Sequence, residues 1–166
     1  MLRLFGRHGV ALAATLAAAV SAPATAGAAV DPLARVSGPS PFAEGCEGAP
    51  QTGTVFRNAE VEPWVDVNLA DEDNIVGDWQ QDRWSNGGSS GNLSAYSLNG
   101  GTSWTIPPIS AAPDTGQAKF SRCTGGTAAN GGDFERATDP WVSLSPNGVA
   151  HQVRWASTTR MWPMPC

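Results

Sequence analysis

The chain has 166 residues, of which 41% are hydrophobic and 15% are charged, and its formal net charge is −5. A surface of this sign repels phosphate backbones, so no nucleic-acid partner is expected. The three cysteines and two histidines match no zinc-binding spacing, and we predict neither a metal site nor a cofactor.

Residues 1–26 have the three parts of a secretory signal peptide. Arg3 and Arg7 give a positive start, and an apolar, alanine-rich run follows at 10–20. The run is shorter than the roughly 20 residues that span a bilayer, and Ala24-Thr25-Ala26 offers the small residues that a signal peptidase recognises. The alternative is a buried N-terminal helix. We predict a secreted, extracytoplasmic protein with no membrane partner after cleavage.

Residues 27–55 contain four prolines and few large apolar side chains, which is typical of an extended leader before the folded part at 56–166. In an oxidising compartment Cys46 and Cys123 can pair, which leaves Cys166 unpaired at the last position. We predict this disulfide, which would tie the leader to a later segment of the chain.

The folded part alternates short runs of β-branched and aromatic residues with clusters of Gly, Pro, Asn and Ser. This pattern predicts an all-β meander. The predicted strands of the first unit cover residues 64–68, 75–80, 92–97 and 103–106. Four consecutive antiparallel strands of this kind make one blade of a β-propeller.

The start of this unit is repeated later in the chain. Residues 62–67 (Glu-Pro-Trp-Val-Asp-Val) return as 139–144 (Asp-Pro-Trp-Val-Ser-Leu), 77 residues further on. This offset exceeds the usual spacing of about 40 to 50 residues for a blade, and the surplus is a Gly/Pro/Ala/Thr-rich connection at 107–137. A strand at 149–155 would be the second of a new blade. The tail at 159–166 matches no expected strand, and we interpret the chain as truncated or frame-shifted.

Residues 97–104 (Ser-Leu-Asn-Gly-Gly-Thr-Ser-Trp) resemble the Asp-box, or BNR repeat, of secreted bacterial sialidase-like β-propellers, whose pattern is Ser-x-Asp-x-Gly-x-Thr-Trp. Ser97, Gly101 and Trp104 match directly, and Asn99 is a close substitute for the aspartate. In that family the box is a structural hairpin between the third and fourth strands. Asn99 suits this role because its side chain can bond its own backbone turn.

The resemblance extends over residues 62–104 and 133–151, roughly half of the chain after the signal peptide. It implies antiparallel β-propeller blades, one complete and a second in part, in an incomplete propeller. Two departures stand out. The Phe-Arg-Ile-Pro motif of sialidases has only a distant echo at 56–59. The single tyrosine, Tyr96, lies inside a predicted strand, which is a poor place for the nucleophile that sialidases pair with a glutamate.

Successive loops of a meander lie on opposite faces of a propeller. One face should therefore gather the segments 57–62, 80–84 and 134–139, whose polar groups make it the candidate mouth of a site. The other face should gather the acidic turn 71–73 and the Asp-box. The acidic turn has calcium-binding side chains, but it is more simply a solvated turn.

A sialidase-like reaction requires arginines for the substrate carboxylate, a general acid/base and a nucleophile. Asp82 is the candidate general acid/base. The candidate substrate-binding residues are Arg83, Trp84, Glu135 and Arg136. The alternatives are structural: a salt bridge between Asp82 and Arg83, capping of a strand start by the acidic and basic groups at 135–139, and packing of the tryptophan in the core or at an edge.

Two functions are consistent with these features. The first is an exported sialidase-like glycoside hydrolase acting on sialylated or related glycans, of exo-α-sialidase type if the full-length parent is an enzyme, and present here as an inactive N-terminal fragment. The second is a non-catalytic Asp-box propeller that binds a glycan or a protein, because a fold does not decide a function. A downstream Tyr/Glu pair and a third arginine in a longer reading frame would favour the enzyme.

Overall fold

The computed structural model describes residues 32–48, 50–109 and 116–158. The predicted signal peptide at 1–26 and the tail at 159–166 lie outside the described residues. The strands are β1 (Val55–Val67), β2 (Asn74–Trp84), β3 (Ser89–Leu98), β4 (Arg136–Leu144) and β5 (Ala150–Ser157), and two 3-10 turns cover Arg122–Thr124 and Ala128–Asn130. Over these three ranges, no helix has the length and apolarity that a bilayer crossing requires.

The five strands pair in chain order and are all antiparallel, in one sheet. The all-β, antiparallel fold class predicted from the sequence is therefore confirmed. The observed β1 begins at Val55, nine residues before the strand start expected at Trp64. Its first half is mostly exposed, and its apolar residues do not alternate regularly with polar ones, so it lacks the pattern that would have indicated a strand.

The predicted fourth strand at 103–106 is reduced to a single bridge. Tyr96 and Thr105 exchange two backbone hydrogen bonds, with N···O distances of 3.0 and 2.8 Å. Pro107 and Pro108 follow directly, and proline has no N–H to donate to a neighbouring strand. The pairing therefore stops where the prolines begin.

Side chains cover the rest of the outer edge of β3. The carboxamide of Gln117 accepts the Ser94 N–H at 2.9 Å and donates to the Ser94 carbonyl at 2.8 Å, as a peptide group of a paired strand would. Further along, the Ser121 hydroxyl donates to the Ser90 carbonyl at 2.8 Å. These contacts satisfy backbone groups that would otherwise be buried without partners.

The β4–β5 hairpin lies across the first three strands. It joins β3 at one residue pair, Ser89 and Ala137. On β1, the Trp64 indole donates to the Val142 carbonyl at 3.0 Å. The Asp66 carboxylate accepts the Leu144 N–H at 2.7 Å, and this bond lowers the pKa of Asp66. The hairpin is therefore fixed to β1 by side-chain bonds.

The repeated acid-Pro-Trp sequence marks the same backbone irregularity in β1 and in β4. Glu62 has a φ of 53° and Asp139 a φ of 51°, and each lies where its strand shifts register against its partner. Trp64 and Trp141, which follow at equivalent positions, stack with ring centroids 4.0 Å apart. The sequence repeat is therefore also a structural repeat.

The leader is part of the fold. Its residues 32–48 and 50–54 form no strand, but Phe42 is 4% exposed and packs in the core with Trp79, Leu93, Ala95 and Cys123. A disulfide joins Cys46 to Cys123, with the Cα atoms 4.9 Å apart. This is the pair proposed from the sequence, while Cys166 lies outside the described residues.

Candidate functional site

Asp82, the candidate general acid/base, is fully buried. Its carboxylate accepts hydrogen bonds from the Ser40 hydroxyl at 2.6 Å, the Asn58 N–H at 2.8 Å and the Gln81 carboxamide at 3.1 Å. The ion-pair partner is Arg57, at 3.4 Å, and not the adjacent arginine. These bonds link the leader and β1 to β2. They also enclose the Asp82 carboxylate, so it is not accessible to a substrate in this structure.

Arg83 is half-buried and donates to the side-chain oxygen of Gln80 at 2.8 Å and to the Gly88 carbonyl at 3.2 Å. Gln80 is fully buried, and its amide donates to Glu62 and, at 2.8 Å, to Thr138. The structure thus brings the segments 57–62, 80–84 and 134–139 together, but 57–62 and 80–84 are paired parts of β1 and β2 and not the loops of a propeller face that the meander arrangement predicted. The contacts between them are internal to the fold.

Arg136 is 6% exposed and donates to four acceptors in the loops around it. These acceptors are the Gln51 side chain at 2.9 Å, the Asn86 side chain at 2.7 Å, the Gly87 carbonyl at 2.8 Å and the Thr52 carbonyl at 2.9 Å. Its guanidinium carbon lies 4.4 Å from the centre of the Trp84 ring. This arginine therefore anchors the loops at the start of β4.

The two remaining candidate ligands are also engaged. Trp84 is 7% exposed and donates its indole N–H to the Ser90 hydroxyl at 3.2 Å. Glu135 is buried, accepts from the Gln51 carboxamide at 3.1 Å and lies 4.0 Å from Arg122. In this structure neither side chain presents an open surface to a sugar.

The Asp-box-like segment at 97–104 is a turn held by its own side chains. The Ser97 hydroxyl accepts the N–H groups of Asn99 and Gly101, at 3.2 and 2.9 Å, and the Asn99 side chain accepts the Ser103 N–H at 2.9 Å. The Trp104 indole donates to the Gly101 carbonyl at 3.0 Å. Asn99 therefore bonds its own backbone turn, as predicted from the sequence.

The acidic turn lies beside the Asp-box-like segment, as predicted. The Gly100 N–H donates to the Asp73 carbonyl at 3.1 Å, and the Asp73 N–H donates to the Asp71 side chain at 3.3 Å. The side chains of Asp71, Glu72 and Asp73 are exposed. The Asp71 carboxylate therefore stabilises the turn, because it accepts the Asp73 N–H.

One cluster of possible metal ligands lies in the described part of the chain, at Cys46, Glu47 and Cys123. The two sulfur atoms are joined in the disulfide, and the Glu47 carboxylate accepts from the Ser90 hydroxyl. A disulfide offers no thiolate to a metal ion. The cluster is therefore explained by the covalent link.

Sequence reasoning missed a buried ion pair between β2 and β5. Arg154 binds the Asp78 carboxylate through its Nη2 and Nε atoms at 2.8 to 3.1 Å, and both side chains are fully buried. Burial raises the pKa of Asp78 to about 6, although Arg154 opposes that shift, and burial lowers the pKa of Arg154. The partners are 76 residues apart, and no local pattern links them.

Sequence reasoning also missed an exposed aromatic cleft on the β4–β5 hairpin. Trp141 is 52% exposed, and Val153 and Trp155 are each 68% exposed. With Asp139 and Arg154 they line a cleft of about 400 Å³, which we call the hairpin cleft. Polar and apolar side chains alternate within residues 151–155, which indicates a strand with one exposed face. The alternation does not show which of the two faces packs against the rest of the protein.

In the described residues, the polar side chains at the predicted mouth of the site are thus already bonded to other groups of the protein. The hairpin cleft, by contrast, is open and aromatic. No protein-family model, curated protein or solved structure matches the chain. The function is therefore inferred from the geometry of these two regions.

Proposed function

We propose that this chain is a non-catalytic glycan-binding module and that the hairpin cleft is its binding surface. The observation that carries the proposal is the exposure of Trp141 and Trp155 in one cleft that also contains Asp139. Indole faces pack against the C–H faces of a sugar ring, and a carboxylate accepts hydrogen bonds from its hydroxyl groups. Glycan binding is the second of the two functions considered from the sequence. An open cleft with exposed tryptophans supports it better than the buried Asp82 supports catalysis.

The sialidase-type hydrolase stays a prediction. A general acid must reach the leaving-group oxygen of the substrate. Asp82 would have to part from four partners and become exposed before it could do so. Arg136 would likewise have to leave the loop carbonyls that it binds before it could bind a carboxylate.

We further infer that β1 to β3, with the bridge at Thr105, correspond to one propeller blade and that β4 and β5 begin a second. The bulges at Glu62 and Asp139 support this inference, because they occupy equivalent positions in the repeat. The bonds from Trp64 to Val142 and from Asp66 to Leu144 span the same 78 residues. Neighbouring blades that repeat one structure produce contacts at such a constant offset.

The binding test uses the secreted chain and a panel of soluble oligosaccharides that includes sialyllactose and lactose, measured by isothermal titration calorimetry. At least one glycan should bind, and Trp155→Ala should weaken its binding roughly tenfold or more, because exposed aromatic anchors dominate small interfaces. Phe56→Ala is the matched control, since Phe56 is a 51% exposed aromatic residue outside the cleft.

Two results would contradict the proposal: no binding across the panel, or equal binding by the wild type and Trp155→Ala. Hydrolysis of a fluorogenic sialoside by the chain would favour the enzyme instead, and Asp82→Asn would then test the assignment of the acid.

A further inference from the structure

A second cleft, lined by parts of β1 and β2, shares no lining residue with the hairpin cleft. We call it the leader groove, because Val36 and Ser37 of the leader form part of its wall. It has a volume of about 330 Å³, within the range of small-molecule sites. Its other lining residues are Glu60, Val61, Pro63, Trp64, Val65, Gly77, Asp78, Trp79 and Trp104.

The tryptophans of the leader groove have no indole N–H left for a ligand. Trp79 donates its N–H to the Gln81 side chain at 3.0 Å, and Trp104 donates to the Gly101 carbonyl at 3.0 Å. The indole of Trp64 is likewise bonded, to a carbonyl of the β4–β5 hairpin. What these rings offer is carbon surface and the negative potential of an aromatic face.

The charge of the leader groove has one sign. None of its eleven lining residues is Lys, Arg or His. The Asp78 carboxylate forms an ion pair with Arg154. The Glu60 carboxylate, in contrast, belongs to an exposed residue and accepts a hydrogen bond from the Ser37 hydroxyl. A neutral hydroxyl leaves the negative charge of Glu60 uncompensated, so the groove favours a cation.

We propose that the leader groove binds a quaternary ammonium group of the kind found in choline. Such a cation has no N–H and is covered by methyl groups, so it needs apolar and aromatic walls rather than hydrogen-bond acceptors. Trp64, which is 39% exposed, and Trp104 provide the aromatic surface, Val36 and Val65 provide the aliphatic surface, and Glu60 provides the counter-charge.

Gly77 lines the leader groove and has no side chain, so it leaves space there. A Cβ atom at this position would lie 3.7 Å from the Trp104 ring and 3.8 Å from the Trp64 carbonyl, which are ordinary van der Waals distances. Gly77→Ala can therefore fill part of the groove without a steric clash, which makes it a suitable blocking variant.

The test is calorimetric titration of the secreted chain with choline and with its neutral isostere, 3,3-dimethyl-1-butanol. Choline should bind, and the isostere should bind roughly tenfold more weakly, because it has the same shape but no charge. Glu60→Gln and Gly77→Ala should each weaken choline binding several-fold. Glu44→Gln is the control for net charge, because Glu44 is exposed in the leader and does not line the groove.

Equal binding of choline and the isostere, or no choline binding by the wild type, would overturn the proposal, and neither result depends on a variant that folds. Equal weakening by Glu60→Gln and Glu44→Gln would also overturn it, because the effect would then come from overall charge. Trp155→Ala should leave choline binding unchanged, so the test of the leader groove does not depend on the outcome at the hairpin cleft.

Discussion

The guanidinium of Arg154 on β5 and the carboxylate of Asp78 on β2 form a two-pronged ion pair in the interior. The Nη2 atom of the arginine lies 2.9 and 2.8 Å from the two carboxylate oxygens, and neither side chain has any exposed surface. The same guanidinium donates to the Asn92 carbonyl and the Ser94 hydroxyl, each at 2.8 Å. This cluster joins the β4–β5 hairpin to the first three strands.

Removal of one partner from this pair should destabilise the fold strongly. Arg154→Met leaves a buried carboxylate without its counter-charge, and we expect a loss of about 3 to 5 kcal/mol in the free energy of unfolding. The double variant Asp78→Leu/Arg154→Met should lose less than Arg154→Met alone, because it leaves no charge buried. Urea denaturation of the wild type and the two variants at pH 7 measures this, and a double variant that loses as much stability as Arg154→Met alone, or more, would contradict it.

The same pair should make stability depend on pH. The pKa of Asp78 is about 6 in the folded state against 3.8 for an unperturbed aspartate, so between these values the folded state binds more protons than the unfolded state. The free energy of unfolding should therefore fall as pH rises from about 4 to about 6, with a contribution on the order of 3 kcal/mol. Asp78→Asn should remove this contribution, so its stability profile should differ from the wild type in slope over that window. Parallel profiles would refute the prediction.

The disulfide between Cys46 and Cys123 should stabilise the fold through the loop that it closes, which spans 77 residues. Replacement of both cysteines by serine should cost about 4 to 5 kcal/mol, because the unfolded chain regains the entropy that the link removes. Thermal unfolding with and without a reducing agent measures the loss, and the double-serine variant should be insensitive to that agent. Peptide mapping that finds both thiols free, or Cys46 joined to Cys166, would disprove the pairing.

Gln117 should protect one particular backbone amide. Its side chain is 1% exposed and bonds the N–H and carbonyl of Ser94 and the carbonyl of Pro107, the last at 3.0 Å. Gln117→Leu leaves these groups buried without partners, and we expect a loss of about 2 to 3 kcal/mol together with faster hydrogen exchange at the Ser94 amide. The Tyr96 amide, which donates to Thr105, is the internal control. Equal acceleration at both amides would indicate general loosening and would contradict a specific role.

Export should leave a defined N-terminus. Residues 1–26 lie outside the described residues, and the prediction rests on the sequence of the cleavage site at Ala24-Thr25-Ala26. Mass spectrometry of the protein from the culture medium should find Gly27 as the first residue. A secreted protein that retains Met1 would show that residues 1–26 are not a cleaved signal.

The sequence by itself determined the features that depend on neighbouring residues. The turn at 97–104 could be predicted because Ser97, Asn99 and Trp104 bond within the same eight residues. The all-β class followed from the alternation of apolar residues and turn clusters. The acid-Pro-Trp repeat is also visible in the sequence, although the bulges that it marks at Glu62 and Asp139 were found only in the structure. The interactions that hold the 97–104 turn lie within those eight residues.

Only the tertiary structure decided which polar side chains are buried and which aromatic residues are exposed. Asp82 and Arg136 are residue types that a catalytic or binding site requires. Segments far away in the chain supply the partners that enclose them. The pairing of Asp78 with Arg154 and the exposure of Trp155 likewise depend on how the hairpin lies on the first three strands. Burial is a property of packing between distant segments, and a pattern of neighbouring residues does not specify it.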